Sequence, residues 1–172
     1  MTELRARVAG ATIFTKLDLK DSYHLIRIKK GDEWKTAFCT RYGHYEYKIM
    51  PFWLVNAPAT FQTMVNTILG EFLDHGVVVY LDDILIYTKT MEEHEALVQE
   101  VLGRLERHDL VVSLKNSVLH VDKVGFVGYL FGKSGVTMSE KEVESILNWR
   151  APPSVKDVQI LICFANFYRC FI

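Results

Sequence analysis

The stretch from Val77 to Thr88, VVVYLDDILIYT, constrains this chain more than any other. Two short runs rich in β-branched and aromatic residues flank an acidic doublet, Asp82 and Asp83. Val77 to Leu81 reads as one strand and Ile84 to Tyr87 as its return, which puts the doublet at the tip of a hairpin. Neighbouring carboxylates repel and each resists leaving water, so the pair asks for a cation beside it. A divalent metal would meet that demand. A solvated acidic turn accounts for the doublet equally well at this point, since Asp is common in turns.

The surrounding chain is of globular composition. It has 172 residues, 49% hydrophobic and 24% charged, which suits one domain or one domain plus a fragment. A chain of about this length buries roughly 70% of its unfolded surface, enough for a true core. No apolar run approaches the roughly 18 residues of a membrane span, and MTELRARVAG lacks the apolar centre of a secretion signal. An intracellular, cytoplasmic protein is expected. The 3 cysteines, Cys39, Cys163 and Cys170, form no CxxC, and the 6 histidines show no metal-ligand spacing. The net charge of −1 is low for a nucleic-acid binder, but it is uneven. Residues 1–50 carry ten Lys/Arg against six Asp/Glu, and the remainder ten against fifteen. A basic first segment can face a phosphate backbone; ordinary surface charge explains the same numbers.

Periodicity orders the elements. ATIFTKLDL, from Ala11 to Leu19, reads as a strand ending near Asp18. Asp21 to Ile28 is a turn followed by extended chain, and Trp34 to Thr40 and His44 to Met50 are two strands around RYG. Asn56 caps a helix with Pro58 in its first turn, and Phe61, Val65, Ile68, Leu69 and Phe72 recur at helical spacing. Thr90 with Glu93 is a capping box whose helix buries Leu97, Val101 and Leu105, with Val98 and Leu102 beside them. Leu110 to Leu114, Val118 to Val121 and Val124 to Phe131 read as strands, with a turn over Gly132 to Gly135. Ser139 with Glu142 opens a helix through about Trp149, broken at Pro152 and Pro153. Ser154 with Asp157 caps another, in or just after which the chain stops, as a piece of something longer would.

Asp18 gives the doublet a third partner. A single Asp at a strand end is usually a turn or cap residue. Three carboxylates at strand ends and a hairpin tip can converge on one sheet edge, however, and Mg²⁺ prefers oxygen ligands while keeping water and phosphate in its shell. Two such ions about 4 Å apart stabilise the entering and leaving oxygens of an in-line displacement, which is what nucleotidyl transfer needs.

Four segments occur in order: FTKLDLKDSYH, MPFWLVNAPATFQ, YLDDILIY and FVGYLFGKSGVTM. Together they resemble the successive motifs of reverse transcriptases, closely those of gypsy-type (Ty3-like) long-terminal-repeat retrotransposons, from about Gly10 to Ile172. The resemblance implies an α+β fold: a polymerase palm, an antiparallel sheet with the Asn56 and Thr90 helices on one face, plus partial fingers and the start of a thumb. It implies an N-terminal extension over 1–10, the palm and partial fingers over 11–150, and a linker with the start of a helical region over 151–172. Asp18, Asp82 and Asp83 become the catalytic, metal-binding aspartates, serving two Mg²⁺ ions, with Mn²⁺ compatible. Leu19, Lys20, Asp21, Ser22 and Tyr23 line the incoming nucleotide, with the backbone N–H groups around Lys20 to Tyr23 cradling phosphate. Tyr23 matches the steric gate that crowds a 2′-hydroxyl, or else is a core aromatic. Phe52 and Gln62 also fall in the nucleotide pocket, although Gln62 reads equally as a polar surface position. Gly128 and Tyr129 match the primer grip, and Gly128 alone reads as a strand bulge. Trp34 reads as packing rather than base-stacking.

The implied partners are an RNA or DNA template with its primer, deoxynucleoside triphosphates, and the ribonuclease H and integrase of a retroelement polyprotein, in a virus-like particle. Trp53 departs from the pattern where glycine is usual. So do Cys39 and Cys170, where arginine is frequent, and Cys163, where glycine is. These changes suggest a decayed retroelement copy, a catalytically impaired remnant that folds or binds nucleic acid without polymerising. A cyclase-like enzyme with a similar palm is a further alternative, one without the Tyr23 gate.

Overall fold

A computed structural model of the chain describes residues 2–20 and 22–171, and the side chains of residues 2, 22 and 170 stand outside the description. Asp21 and the Ser22 side chain, both assigned above to the nucleotide, therefore lie outside the described residues. The chain opens with α1 (Thr2–Val8) and runs through β1 (Ile13–Lys20), β2 (Phe38–Thr40) and β3 (Gly43–Tyr45) to α2 (Ala57–Ile68). The acidic hairpin follows as β4 (Val77–Tyr80) and β5 (Asp83–Thr88), then α3 (Met91–Glu106), β6 (Val111–Val112) and β7 (Val118–Val121). A second small sheet, β8 (Lys123–Phe126), β9 (Tyr129–Gly132) and β10 (Gly135–Met138), precedes α4 (Glu140–Leu147) and α5 (Val155–Phe167).

The central sheet is antiparallel, in the order β4-β5-β1. Beyond β1 two strands share one edge: β6 pairs with Leu19 and Lys20, β7 with Phe14 and Lys16. Alternation along a strand sends successive side chains to opposite faces. Leu17, Leu19, Ile84, Ile86 and Val77 pack with Phe61, Val65 and Ile68 of α2 and Val98, Val101 and Leu105 of α3. Phe14, Leu85 and Tyr87 join Val124, Phe126, Tyr129, Phe131 and Val136 of the small sheet, together with Val8 and Tyr168. So α2 and α3 do cover one face, as expected, while the second face is covered by a small sheet. Double coverage explains why β5 reads as an unbroken apolar run.

The three N-caps form as anticipated. Thr90, Ser139 and Ser154 each accept a hydrogen bond from the backbone N–H three residues on. Asn56 occupies the N-cap of α2 without a side-chain cap bond. Two strand expectations are corrected. Glu33–Thr36 is a 3₁₀ turn rather than strand, because the Thr36 hydroxyl donates to the Glu33 carbonyl (2.7 Å) and accepts from the Tyr47 N–H (2.8 Å). Ser22–Leu25 is a 3₁₀ turn as well, in keeping with the expected turn, and Arg27 bridges Ile49 in the extended chain beyond it. Val124 to Phe131 is a hairpin, broken where Val127 and Gly128 both take positive φ, 49° and 78°. On α3 the innermost stripe is His94, Val98, Val101 and Leu105, with Leu97 half-buried and Leu102 exposed.

Candidate active site

Register brings two of the three aspartates together. Asp18 and Asp83 are directly opposite partners of β1 and β5, on the face away from α2 and α3. Like charges facing each other across strands destabilise a sheet. Lys16, two residues before Asp18 and on the same face, answers this: its ammonium lies 3.0 Å from an Asp83 carboxylate oxygen. Asp82 sits between β4 and β5, exposed, and its carbonyl accepts from the Leu19 N–H at 2.8 Å. The Asp18 main chain is fixed on its other side as well. Its N–H donates to the Ser117 hydroxyl (3.1 Å), and its carbonyl accepts from the Ser113 N–H (2.8 Å).

The hairpin tip is strained and braced. Leu81 has φ 53°, a region that bulky residues rarely adopt. Gln62 reaches over from α2, its side-chain oxygen accepting from the Leu81 N–H at 2.7 Å and its NH₂ donating to the Val79 carbonyl at 3.3 Å. The same NH₂ is 2.8 Å from the Asn66 side-chain oxygen. Gln62 thus acts on the tip that carries the aspartates, a role its helix position alone did not disclose.

Tyr23 stacks on buried Phe61, ring centroids 4.5 Å apart with planes at 22°. Burial raises the pKa of its phenol, and the charge of Asp82 adds to the effect, so the ring stands beside the acidic tip. Phe52 is 71% exposed on the loop before α2, while Trp53 leans edge-on against Tyr47 at 6.0 Å. Leu19 is buried in the first core and its N–H is taken by the Asp82 carbonyl, so neither its side chain nor its N–H is open to a ligand. Gly128 forms the tip of the β8–β9 hairpin, and the Tyr129 ring beside it is buried in the second core. The Tyr129 ring packs on Phe167, Tyr168 and Phe171 near the end of the chain, and the Gly128 carbonyl accepts from the Tyr168 hydroxyl.

Sequence reasoning missed Lys16 and Ser117. Lys16 was findable, because strand period two puts it on the Asp18 face; Ser117 carries no local signal for a partner ninety-nine positions away. The donor chemistry suits a hard divalent cation: carboxylates in register beside a backbone carbonyl. The described residues nonetheless contain no ready cluster of three His, Cys, Asp or Glu side chains set to hold one, and the Asp83 carboxylate is engaged by Lys16.

Residues 2–131 match the family described as Reverse transcriptase (RNA-dependent DNA polymerase). The chain belongs to the reverse transcriptase family. It is 42% identical over 170 residues to the Transposon Tf2-3 polyprotein of Schizosaccharomyces pombe, covering 99% of this chain and 13% of that protein. The Tf2-7 polyprotein of the same organism is 41% identical over the same share. The gypsy-type resemblance read from the four motifs is therefore borne out, and the chain spans about an eighth of the length of these relatives. Among solved structures it is similar to the foamy viral protease-reverse transcriptase dRH in complex with ds DNA. That likeness has a TM-score of 0.89 and 27% identity over 98% of this chain and 29% of the other. A foamy viral protease-reverse transcriptase in complex with RNA/DNA hybrid gives 0.83 at 27% identity, over 96% and 23%. The α+β architecture of this reverse transcriptase chain agrees with both. Among the described residues, no helix is long and apolar enough to cross a membrane.

Proposed function

We propose that this chain is the palm of an RNA-directed DNA polymerase, transferring deoxynucleotides from their triphosphates to a primer 3′ end on an RNA or DNA template. The observation that carries the reading is the placement of Asp18 opposite Asp83, with Asp82 in the adjoining tip and Tyr23 stacked on Phe61, the neighbour of the Gln62 that braces that tip. Asp18, Asp82 and Asp83 would hold two Mg²⁺ ions, once the Lys16 ammonium gives up the Asp83 oxygen. Bound there, divalent ions supply charge stabilisation for the oxygens that enter and leave phosphorus. Main-chain N–H groups around Lys20 to Tyr23 would donate to phosphate oxygens, and the Tyr23 ring, propped by Phe61, crowds the sugar 2′ position. Residues 11–150 form the palm with partial fingers, and 151–172 begin the next helical region. Ribonuclease H and integrase belong to the rest of a polyprotein, within an intracellular particle.

Primer extension with Mg²⁺ tests this. Asp82→Asn should lower extension by on the order of 10³-fold, the upper range for removing one group that stabilises developing charge. Extension equal in the variant and the parent chain would assign the activity to a contaminant. A second reading has a specific observation behind it: Trp53, half-exposed at a position where glycine is usual, fits an impaired remnant that binds nucleic acid without extending it. Template-primer binding without any Asp82-dependent extension would favour that reading.

A further inference from the structure

The β8–β9 tip is held by the far end of α5. Val127 and Gly128 both carry positive φ, the signature of a two-residue hairpin turn of the primed kind. For a β-branched valine that conformation is rare and unfavourable and persists only where its surroundings impose it. The surroundings here are two tyrosines exchanging hydroxyl bonds. The Tyr168 hydroxyl donates to the Gly128 carbonyl at 3.0 Å, and the Tyr129 hydroxyl donates to the Phe167 carbonyl at 2.8 Å. Both rings are buried, at 3% and 2% exposure, and meet edge to face at 5.5 Å. Phe167 stacks on Tyr129 at 5.0 Å. A Cβ on Gly128 would come within 3.2 Å of the Tyr168 hydroxyl, so the turn and the helix end fit closely.

We infer that Tyr168 is a positioning residue: its hydroxyl fixes the Gly128 carbonyl and so couples the end of α5 to where the primer 3′ end is held. The inference rests on the reading of Gly128–Tyr129 as the primer-holding turn. Two reciprocal bonds make the turn and the helix end one unit. A displacement of α5, or of whatever follows it, is passed to the turn rather than absorbed between them.

The test is Tyr168→Phe, which keeps the ring and removes only the hydroxyl. The ¹³C resonance of the Gly128 carbonyl should move upfield as its hydrogen bond is lost, while Tyr129→Phe should move the Phe167 carbonyl instead. In single-turnover extension, Tyr168→Phe should lower the rate constant about tenfold with the reacting amplitude preserved, a fraction of the roughly 10²-fold that a 1 Å misplacement produces. A merely structural role would lower the amplitude and the melting temperature and leave the rate constant alone, overturning the inference. An unmoved Gly128 resonance would overturn it as well. If the parent chain extends no primer, the proposed function fails by itself, and the carbonyl resonances still decide whether the latch exists.

Discussion

Two hairpin tips in this molecule are built alike and held oppositely. The β4–β5 tip places Leu81 at φ 53° and is gripped through an N–H, by the Gln62 side chain on α2. The β8–β9 tip places Val127 at φ 49° and is gripped through a carbonyl, by the Tyr168 hydroxyl at the end of α5. Each is an unfavourable backbone conformation stabilised by a side chain from a distant helix, and each carries residues assigned to the reaction. They differ in what surrounds the clamp. Gln62 also bonds Val79 and Asn66 at the sheet margin, whereas Tyr168 lies sealed in an aromatic core. The first tip is the one that a single polar side chain decides.

Breaking the Gln62 clamp should therefore have the larger effect. Gln62→Ala leaves the Leu81 N–H and the Val79 carbonyl without their partner and should lower stability by about 1–3 kcal/mol. The aspartates ride on that tip, so extension should fall on the order of 10²-fold. Leu81→Gly then separates strain from bonding. Glycine accepts positive φ without penalty, so in the Gln62→Ala background it should restore stability by about 1 kcal/mol. A double-mutant cycle by urea denaturation measures this. Strict additivity would mean that Gln62 and the Leu81 conformation are unrelated.

A third clamp joins helix to sheet with no turn to hold. His94 on α3 is fully buried, its ring nitrogens 2.7 Å from the Thr15 hydroxyl on β1 and 2.9 Å from the Thr88 hydroxyl on β5. The His120 ring lies edge-on at 5.2 Å. Burial, with the nearby His120 charge, lowers the His94 pKa to about 4. A lowered folded-state value means stability that is complete above the unfolded pKa near 6.5 and lost as pH falls from there through about 4. The loss should reach on the order of 3 kcal/mol, read as unfolding free energy against pH. His94→Gln should flatten the curve in that window. An unaltered curve would place the titrating group elsewhere.

These contrasts show what was legible in advance. Hydrophobic periodicity and caps report local rules, so β1, the acidic hairpin, α2, α3 and the N-caps at Thr90, Ser139 and Ser154 were readable from residues alone. The aspartates were readable because strand ends and a hairpin tip leave few places for them. The partners of Gln62, Ser117 and Tyr168 were not, because they lie 19, 99 and 40 positions away and only tertiary packing pairs them. The Val127–Gly128 turn was missed for a related reason. Valine is a strand former, and nothing local announces that a tyrosine in the last helical segment will hold it at positive φ. His94 sat unnoticed on the periodic stripe of α3, where a histidine reads as polar until two threonines are found to satisfy it.

The loop before α2 is the case with neither strain nor clamp, and it gives the smallest effect. Trp53 is absent from the residues at positive φ, although glycine is usual there in gypsy-type sequences. Its ring is half-exposed, and its aromatic contact is the edge of Tyr47. Trp53→Gly should pull stability and activity in opposite directions. Losing the ring contact and adding glycine's backbone freedom should lower stability by about 1–2 kcal/mol, seen as a lower Tm. Removing a large ring beside the proposed nucleotide pocket should tighten nucleotide use by roughly 1 kcal/mol, about a fivefold fall in KM. A variant that loses stability with nucleotide affinity and turnover unchanged would remove Trp53 as a source of impairment. The contrast with the two clamped tips would then stand as purely structural, since a loop free of strain has nothing for a glycine to relieve.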